Sequence, residues 1–472
     1  MSAVEAPAAV RRAAAYRQTD TGNALRVVAR NVELVRYAHD SARWHIWDGR
    51  AWAPDATGQI DRFASAAVAA MWREVDAMPA GDDDGASNAK AKASQWALLS
   101  EGAGKLAAMV KVAERDERVA CTAEAFDTNP WELNTPGGIV DLRTGALRPH
   151  DPAAMHSCIA AATPRLRATL QGTWPRFIKR VLPDAATRLY VQKLLGASLV
   201  GAPLPGAAFP FVFGPGGTGK STMLESVLAA LGDYAGLAPD ELLAAKRGGF
   251  GGGSVFDMAA LRGKRFVLAS EGEAGQVLAV KTVKLITDSP MLTAQQKHEA
   301  ERTTRNVTAL WYMSNHEPRI DGTDSGLGRR LKEIPMDVVL HPKRDLGLRD
   351  KIIAEHLDDV LAWCIEGCVL ALTDGLDAPD TVTAATKAYL EESNPLLQWF
   401  DQRCERDAES FTSNADLHAA YGDWCAASKR WNAYGTGPTR AWGTAMGGLG
   451  LMPAKLKGAR GYTGVRLLTP GI

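Results

Sequence analysis

A glycine-rich segment that closes on a lysine and a serine carries the most specific chemistry of this chain. Residues Gly214–Ser221 match the pattern G-x-x-x-x-G-K-[ST], which wraps backbone N–H groups around the phosphates of a nucleotide. Lys220 has the position that reaches the β- and γ-phosphates, and the Ser221 hydroxyl has that of a Mg²⁺ ligand. We therefore predict that ATP and Mg²⁺ bind here. The candidate nucleotide-binding residues are Gly214, Pro215, Gly216, Gly217, Thr218, Gly219, Lys220, Ser221 and Thr222.

The segments on either side of this loop have the patterns that a phosphate-binding loop requires. Phe209–Phe213 is an apolar run of strand length, and residues 222–231 are typical of a helix. A loop between a strand and a helix N-terminus offers free N–H groups and the positive end of the helix dipole to an anion. The context therefore favours a nucleotide site over a chance glycine-rich turn.

Two carboxylates follow a second apolar strand and could order Mg²⁺ and the attacking water. Residues 265–269 are strand-like, and Glu271 and Glu273 come directly after them. In open α/β sheets, ligands bind at the carboxyl ends of the strands. We assign Glu271 to Mg²⁺ or to water ordering and keep Glu273 as the alternative base.

A third predicted strand, residues 306–313, is followed by Asn315 and His316. Asn315, at the strand tip, could hold the attacking water or sense the γ-phosphate, whereas His316 is predicted to be structural. Arg329 and Arg330 come next in the chain. A guanidinium suits the spread charge of a phosphoryl-transfer transition state, so either arginine could act as a finger on the ATP of a neighbouring subunit.

The C-terminal end of the chain carries positive charge without compensating acid. No Asp or Glu follows Asp423, which indicates a polyanionic partner. Apolar and aromatic residues are interspersed, so we predict a folded module rather than a solvated tail. The basic residues of this end are Lys429, Arg430, Arg440, Lys455, Lys457, Arg460 and Arg466.

The pattern of this C-terminal module is similar to that of a winged helix, a common DNA reader. Helices are predicted over residues 397–404, 415–429 and 439–449, followed by a hairpin over residues 458–468. The candidate DNA-binding residues of the module are Arg440, Lys455, Lys457 and Arg460.

Composition and length are those of a multidomain globular protein. The 472 residues are 46% apolar and 23% charged, with a formal net charge of zero. No run of 18 apolar residues and no secretory signal stands out. The six cysteines form no C-x-x-C pair and no zinc pattern. We therefore expect reduced thiols, no membrane partner and a cytoplasmic location in a bacterial host cell.

We predict an α/β protein with five parts. The first of them, residues 1–165, is expected to contain a β-hairpin over residues 43–52 and helices over residues 61–78 and 91–114. The parts are an N-terminal α+β domain (1–165), a helical collar (166–205), a P-loop core (206–345), a helical segment (346–390) and the winged-helix-like module (391–472).

Together the motifs resemble those of superfamily 3 helicases, specifically the phage and plasmid primase-helicase family related to the poxvirus enzyme. The resemblance rests first on the phosphate loop, the carboxylates, the Asn315 segment and the arginine pair. It extends outwards over nearly the whole chain. The matching segments are residues 44–52, 129–134, 141–145, 214–221, 271–273, 314–320, 329–330 and 416–425.

This resemblance implies an AAA+ core that assembles as a hexameric ring, with ATP at subunit interfaces and Asn315 as sensor 1. It also implies a hairpin, between the Glu271 strand and the Asn315 strand, that projects into the ring pore and grips DNA. Residues 293–302 have that place, with Lys297 and His298 at the tip. A cation there would contact the phosphates of a single strand.

The sequence thus predicts an ATP hydrolase, namely a replicative DNA helicase of a phage, prophage or plasmid acting on single-stranded and forked DNA. Apart from the acidic run Asp82–Asp84, which is predicted to be a loop, residues 20–160 contain no D-x-D pair for primer synthesis, so a separate primase would be its partner. Two alternatives stay open. One is an origin-binding initiator that uses ATP only for assembly, and the other is a non-helicase AAA+ loader or remodeller.

Overall fold

The computed structural model divides into two compact units, residues 1–140 with 147–160 and residues 141–146 with 161–472. The finer boundaries at residues 165, 205, 345 and 390 stay predictions. The structure describes residues 16–78, 84–165, 172–239, 241–245, 258, 261–270, 277–295, 302–320, 325–340, 345–428, 432, 434, 435 and 437–468.

The first part of the chain combines helices with two small sheets. Strands β1 to β4 form one sheet in the order β3-β2-β1-β4, and β5, β6 and β7 form the other. The elements in chain order are α1 (Asp20–Asn31), β1 (Val35–Ala38), β2 (Arg43–Trp47), β3 (Trp52–Pro54), α2 (Gln59–Asp76), α3 (Asp84–Ser100), α4 (Ala103–Ala113), β4 (Ala120–Cys121), β5 (Glu132–Thr135), β6 (Gly138–Asp141) and β7 (Ala146–Arg148).

The hairpin predicted over residues 43–52 is confirmed, because β2 and β3 pair antiparallel with Trp47 opposite Trp52. The single helix predicted over residues 91–114 is wrong. Two helices, α3 and α4, share that stretch, and Gly102 between them has an extended backbone (ψ 137°). Glycine is a poor helix former, so the chain turns there.

The second unit is larger and contains the predicted phosphate loop. Its elements, in chain order, are α5 (Thr173–Val181), α6 (Ala185–Ala197), β8 (Phe209–Phe213), α7 (Lys220–Leu231), β9 (Ala235–Leu237), β10 (Phe266–Ser270), α8 (Val280–Asp288), β11 (Met291–Ala294), β12 (Arg302–Arg305), β13 (Ala309–Ser314), α9 (Ser325–Arg330), β14 (Leu331–Pro335), α10 (Leu348–Glu355), α11 (Leu357–Asp374), α12 (Asp380–Glu392), α13 (Pro395–Arg403), β15 (Cys404–Glu405), β16 (Phe411–Ser413), α14 (Asn414–Ala427), α15 (Arg440–Gly448), β17 (Met452–Leu456), β18 (Ala459–Thr463) and β19 (Arg466–Leu467).

A five-stranded sheet forms the centre of this unit, in the order β14-β8-β13-β10-β9. All four strand pairs are parallel. Phe211, Val267 and Leu310 lie in its buried core, as expected for parallel strands covered on both faces. The mixed α/β class is therefore confirmed, and the carboxyl ends of the strands meet at one edge.

The predicted strand 306–313 begins later than expected, at Ala309. Asn306 is buried before the strand and donates hydrogen bonds from Nδ2 to the carbonyls of Ile286 and Ser289. Its Oδ1 accepts a hydrogen bond from the N–H of Thr308. An asparagine side chain that satisfies loop backbone in this way delays the start of the strand.

Helices α6 and α11 pack closely on each other beside the sheet. A Cβ at Gly196 would lie 2.0 Å from the backbone nitrogen of Cys368, and one at Gly367 would lie 2.1 Å from the Gln192 carbonyl oxygen. Both glycines are therefore needed for the two backbones to approach.

The C-terminal part has the predicted helices and a three-stranded sheet in the order β16-β18-β17. The hairpin predicted over residues 458–468 is misplaced. Strands β17 and β18 are joined at Lys457 and Gly458, whose φ values are 48° and 89°. Two successive residues at positive φ form the tight turn that suits a hairpin, so Gly458 lies inside the turn instead of starting a strand.

Across the described residues, the helices are too short or too polar to cross a lipid bilayer.

Candidate nucleotide-binding site

The glycine-rich loop lies between β8 and α7, as predicted, and α7 begins at Lys220. Two glycines are required by the packing around the loop. Gly214 and Gly219 have φ values of 151° and 94°. A Cβ at Gly214 would lie 2.2 Å from the Met336 carbonyl oxygen, and one at Gly219 would lie 2.8 Å from Cγ1 of Val181. Larger residues at either position would displace the loop from the sheet edge.

A cavity of about 550 Å³ opens over this loop. Its volume lies within the range of small-molecule sites. A Cβ at Gly216 or at Gly217 would meet no atom within 4 Å, so the loop backbone is open to a ligand. The lining residues are Thr173, Arg176, Phe177, Arg180, Gly216, Gly217, Thr218, Gly219, Lys220, Ser221, Thr222, Asn315, Leu340, Asp345 and Leu348.

Lys220 is buried and its amine is held by four oxygen acceptors, the weakest of which is Oγ1 of Thr218 at 3.5 Å. Nζ donates to the carbonyls of Gly214 and Pro215, the latter at 2.9 Å, and to Oδ1 of Asn315 at 2.8 Å. Burial lowers the pKa of the Lys220 ammonium below that of a free lysine. The cation is thus presented at the floor of the cavity in a fixed orientation.

Asn315 reaches Lys220 because β13 and β8 are adjacent and parallel. Ser314, the last residue of β13, lies opposite Phe213, the last residue of β8. Asn315 and the phosphate loop therefore leave the sheet at the same edge. The backbone N–H of His316 donates to Oγ of Ser314 at 2.8 Å, and the structural role expected of the His316 side chain stays a prediction.

The strand that precedes the two candidate carboxylates ends at this same edge. Ser270, the last residue of β10, lies opposite Met313 of β13. Glu271 and Glu273 themselves lie outside the described residues. Their assignment to Mg²⁺ and to the attacking water stays a prediction, as does that of Ser221.

The two adjacent arginines differ sharply in their surroundings. The Arg330 guanidinium is buried and donates to the carbonyl of Gly326 and to Oδ2 of Asp288, both at 2.6 Å, whereas Arg329 is exposed. Strand β14 begins directly after them, and Leu331 lies opposite Phe209, at the start of β8. Arg329 is therefore near the sheet edge opposite the phosphate loop.

Strands β11 and β12 follow β10 and precede β13 in the chain. They form a separate antiparallel pair, with Ala294 opposite Arg302. Oγ1 of Thr293 and Oγ1 of Thr303 are hydrogen-bonded across the pair at 2.9 Å. Lys297 and His298 belong to the segment that joins these strands and lie outside the described residues.

The four DNA-binding candidates of the C-terminal module are all exposed. Lys455 and Arg460 lie directly opposite each other on β17 and β18, and Lys457 occupies the turn. Arg440 is the first residue of α15. Like charges placed opposite each other on neighbouring strands destabilise a hairpin, unless an anion lies between them.

Several residues of the cavity were not predicted from the sequence. Arg176 and Arg180 line it from α5, and Leu340, Asp345 and Leu348 line it from the segment after β14. The sequence signal that could have indicated them is the four-residue spacing of the two arginines, which places both on one face of a helix. Their proximity to the loop depends on how α5 packs.

Two family models match the chain. The model D5_N, described as "D5 N terminal like", covers residues 24–183. A second model, described as "Family of unknown function (DUF5906)", covers residues 212–330, which include the phosphate loop, Asn315 and the arginine pair.

Two viral proteins with helicase names are similar to the chain. It is 26% identical over 216 residues to "Putative helicase L207/L206" of Acanthamoeba polyphaga mimivirus, which covers 44% of this chain and 22% of the relative. It is 23% identical over 270 residues to "Putative helicase 022R" of Frog virus 3, which covers 53% of this chain and 28% of the relative. The matches therefore span about a quarter of the length of these relatives.

Among solved structures, the apo C-terminal region of NrS-1 is similar at a TM-score of 0.49 and 11% identity, covering 91% of this chain and 95% of that one. The D5 N-terminal-like match and the two helicase-named viral relatives support a similarity of this chain to phage and viral primase-helicases.

Proposed function

We propose that this protein is an ATP-dependent DNA helicase of superfamily 3 that works in the replication of a phage, prophage or plasmid. The observation that carries the proposal is the hydrogen bond from Lys220 to Asn315 at the floor of the cavity. It brings the cation of a phosphate loop together with a polar strand tip, which is the pairing needed to bind a triphosphate and to sense its γ-phosphate.

The residues of the cavity fit a nucleotide triphosphate with Mg²⁺. Open loop backbone, the α7 N-terminus and Lys220 provide positive potential for phosphates, and Ser221 provides a hydroxyl ligand. Ser221 and Glu271 would hold Mg²⁺, which would neutralise charge on the β- and γ-phosphates. Asn315 would orient the attacking water or the γ-phosphate, with Glu271 or Glu273 as the base.

The strand order supports an AAA+ core. Counted along the chain, β8, β9, β10, β13 and β14 are strands 1 to 5, so the order across the sheet is 5-1-4-3-2. The loop strand β8 and the carboxylate strand β10 are thus separated by one inserted strand, β13. This insertion is the arrangement expected of an AAA+ core, and it would put Asn315 between the loop and the carboxylates.

The position of Arg329 supports a ring, of which a hexamer is the expected form. Strand β14 has four residue steps between Leu331 and Pro335, or about 13 Å, and Arg329 precedes its start. Arg329 is therefore too far from the phosphate loop of its own subunit to reach bound ATP. An exposed arginine on the opposite edge could instead complete the site of a neighbour.

Two elements supply the proposed DNA contacts. The β11/β12 pair has the antiparallel geometry of a projecting hairpin, and Lys297 and His298 would be its grip on single-stranded DNA in the pore. When only the strands of its three-stranded sheet (β16, β17 and β18) are counted, the C-terminal part has the order helix, strand, helix, helix, strand, strand. That order supports a winged-helix module, whose exposed cations would bind the DNA backbone.

An origin-binding initiator is the second candidate, favoured by the exposed cations on the β17/β18 hairpin. In that function the C-terminal module would bind duplex DNA of defined sequence, and ATP would control assembly only.

An unwinding assay on forked DNA with Mg²⁺ and ATP tests the proposal, using the full chain and Lys220→Ala. We expect the natural protein to separate the strands and Lys220→Ala to lose both ATPase and unwinding. ATPase without unwinding would instead support a loader or remodeller. Specific duplex binding without translocation would support the initiator, and absence of any ATP binding would contradict all three.

A further inference from the structure

Helix α5 forms one wall of the nucleotide cavity, although it lies outside the loop motif. Thr173, Arg176, Phe177 and Arg180 line the cavity from this helix. Their spacing is that of a single helix face. Trp174, Phe177, Ile178 and Val181 are buried, so the helix is anchored by its apolar residues while the arginines stay outside the core.

The helix packs directly on the loop residue that precedes Lys220. A Cβ at Gly219 would lie 2.8 Å from Val181 Cγ1 and 3.2 Å from the ring of Phe177. Arg176 and Arg180 each lie one position before these two contact residues. The arginines are therefore held beside the loop by backbone and apolar packing, which fixes where their side chains begin.

The cavity wall formed by α5 changes the charge of the site. Its lining contains three cations, Lys220, Arg176 and Arg180, and one carboxylate, Asp345. Both arginines are exposed, and among the described residues neither is ion-paired; Nε of Arg176 donates to the Gly172 carbonyl at 3.3 Å. Most of their N–H donors therefore remain available, and a planar guanidinium matches the oxygens of a phosphate.

We propose that Arg176 and Arg180 bind the phosphates of the nucleotide held by the loop, as a second cationic wall supplied by the same subunit. This inference rests on the proposed nucleotide site. Unlike Arg329, these arginines would act on the ATP of their own chain, so their contribution to binding would not depend on a neighbouring subunit.

Nucleotide affinity of the full chain tests the proposal, with Lys179→Ala as the matched control. Lys179 is on the same helix and is also exposed, but it does not line the cavity. We expect Arg176→Ala and Arg180→Ala each to raise the Kd for Mg²⁺-ATP about tenfold, which is about 1.4 kcal/mol. Lys179→Ala should stay within about twofold, since a surface cation away from the ligand contributes little.

Competition by tripolyphosphate and by adenosine distinguishes a phosphate contact from a base contact. Tripolyphosphate should compete more weakly for the two arginine variants, whereas adenosine binding should be unchanged. Glutamine replacements of the same arginines keep most of the side-chain length and packing, so a folding defect of an alanine variant would not decide the outcome.

Unchanged affinity of Arg176→Gln and Arg180→Gln for ATP and tripolyphosphate would overturn the proposal, and so would a selective loss of adenosine binding. In either case the nucleotide site itself would stand if Lys220→Ala fails to bind ATP. No ATP binding by the natural protein would instead remove the proposed function together with this inference.

Discussion

Lys220 and Asn315, 95 residues apart in the chain, meet at the carboxyl edge of the parallel sheet, where Nζ donates to Oδ1 at 2.8 Å. The contact joins the phosphate loop to the tip of the neighbouring strand. In the proposed nucleotide site, a change at the γ-phosphate would therefore act on both β8 and β13 and would connect the sheet to the state of the nucleotide.

Replacing Asn315 by alanine should separate nucleotide binding from hydrolysis. We expect turnover of ATP to fall about 100-fold, because a preorganised polar group at the reacting phosphate is lost, while the Kd for ATP changes less than about threefold. Steady-state ATPase rates and calorimetric titration measure the two quantities. His316→Ala is the neighbouring control and should keep its turnover; an Asn315→Ala enzyme of normal turnover would contradict the sensor role.

Arg329 and Arg330 should give different phenotypes when each is changed to alanine. Arg329→Ala should leave thermal stability unchanged, yet its subunits should poison the ATPase of wild-type rings when the two are mixed. Arg330→Ala should lower the free energy of unfolding by about 1–3 kcal/mol, because it removes bonds of a buried guanidinium to Asp288 and Gly326. Mixed rings whose activity falls only in proportion to the Arg329→Ala fraction would exclude a finger acting between subunits.

Lys297→Ala should lose unwinding and keep basal ATPase within about twofold, since the proposed pore hairpin contacts DNA phosphates and not the nucleotide. The forked-DNA assay and DNA-free ATPase rates measure the two activities. Lys281→Ala, at an exposed position on α8, is the charge-matched control. Normal unwinding by Lys297→Ala would contradict the assignment of the hairpin tip.

Glu333 should make the stability of the protein depend on pH. Burial, with Glu317, Glu392 and Asp337 nearby, raises the pKa of Glu333 from 4.5 to about 8, and among the described residues its Oε2 has no hydrogen-bond partner. The folded state holds this proton more tightly than the unfolded state. The resulting stability is therefore complete below about pH 4.5 and lost as the pH rises through about 8.

Thermal melting of Glu333→Gln from pH 5 to 9 checks this expectation. Each unit of pKa difference corresponds to about 1.4 kcal/mol. The melting temperature of the variant minus that of the natural protein should therefore increase as the pH rises. Glu409→Gln, at an exposed position, should run parallel to the natural protein. If the plot of melting temperature against pH for Glu333→Gln also runs parallel to that of the natural protein, ionisation of Glu333 does not lower the free energy of unfolding.

The β17/β18 hairpin should bind the backbone of DNA. Lys455→Ala and Arg460→Ala should each weaken binding to DNA of any sequence and reduce the slope of log affinity against log salt by about 1. Arg466→Ala is the control, because its guanidinium is already paired with Glu405 at 2.5 Å. If affinity falls for one sequence only, the hairpin would read bases, as the initiator requires.

The local elements of this protein follow closely from sequence pattern. The apolar run Phe209–Phe213, the helix after the loop and the hairpin at Trp47 and Trp52 were all predicted, because each depends on neighbours a few residues apart. The two wrong element boundaries also depend on only one or two residues. A single glycine, Gly102, divides a predicted helix, and two residues at positive φ, Lys457 and Gly458, move the C-terminal hairpin.

The sequence by itself determined the chemistry that this protein has available: a phosphate loop ending in Lys220, a strand tip at Asn315 and an arginine pair. Only the tertiary structure decided which of these groups meet. Strand order puts Asn315 on Lys220, buries Arg330 while exposing Arg329, and packs α5 so that Arg176 and Arg180 line the cavity. The physical reason is that sheet order and helix packing bring together residues far apart in the chain, and the side-chain spacing within a segment carries no information about such contacts.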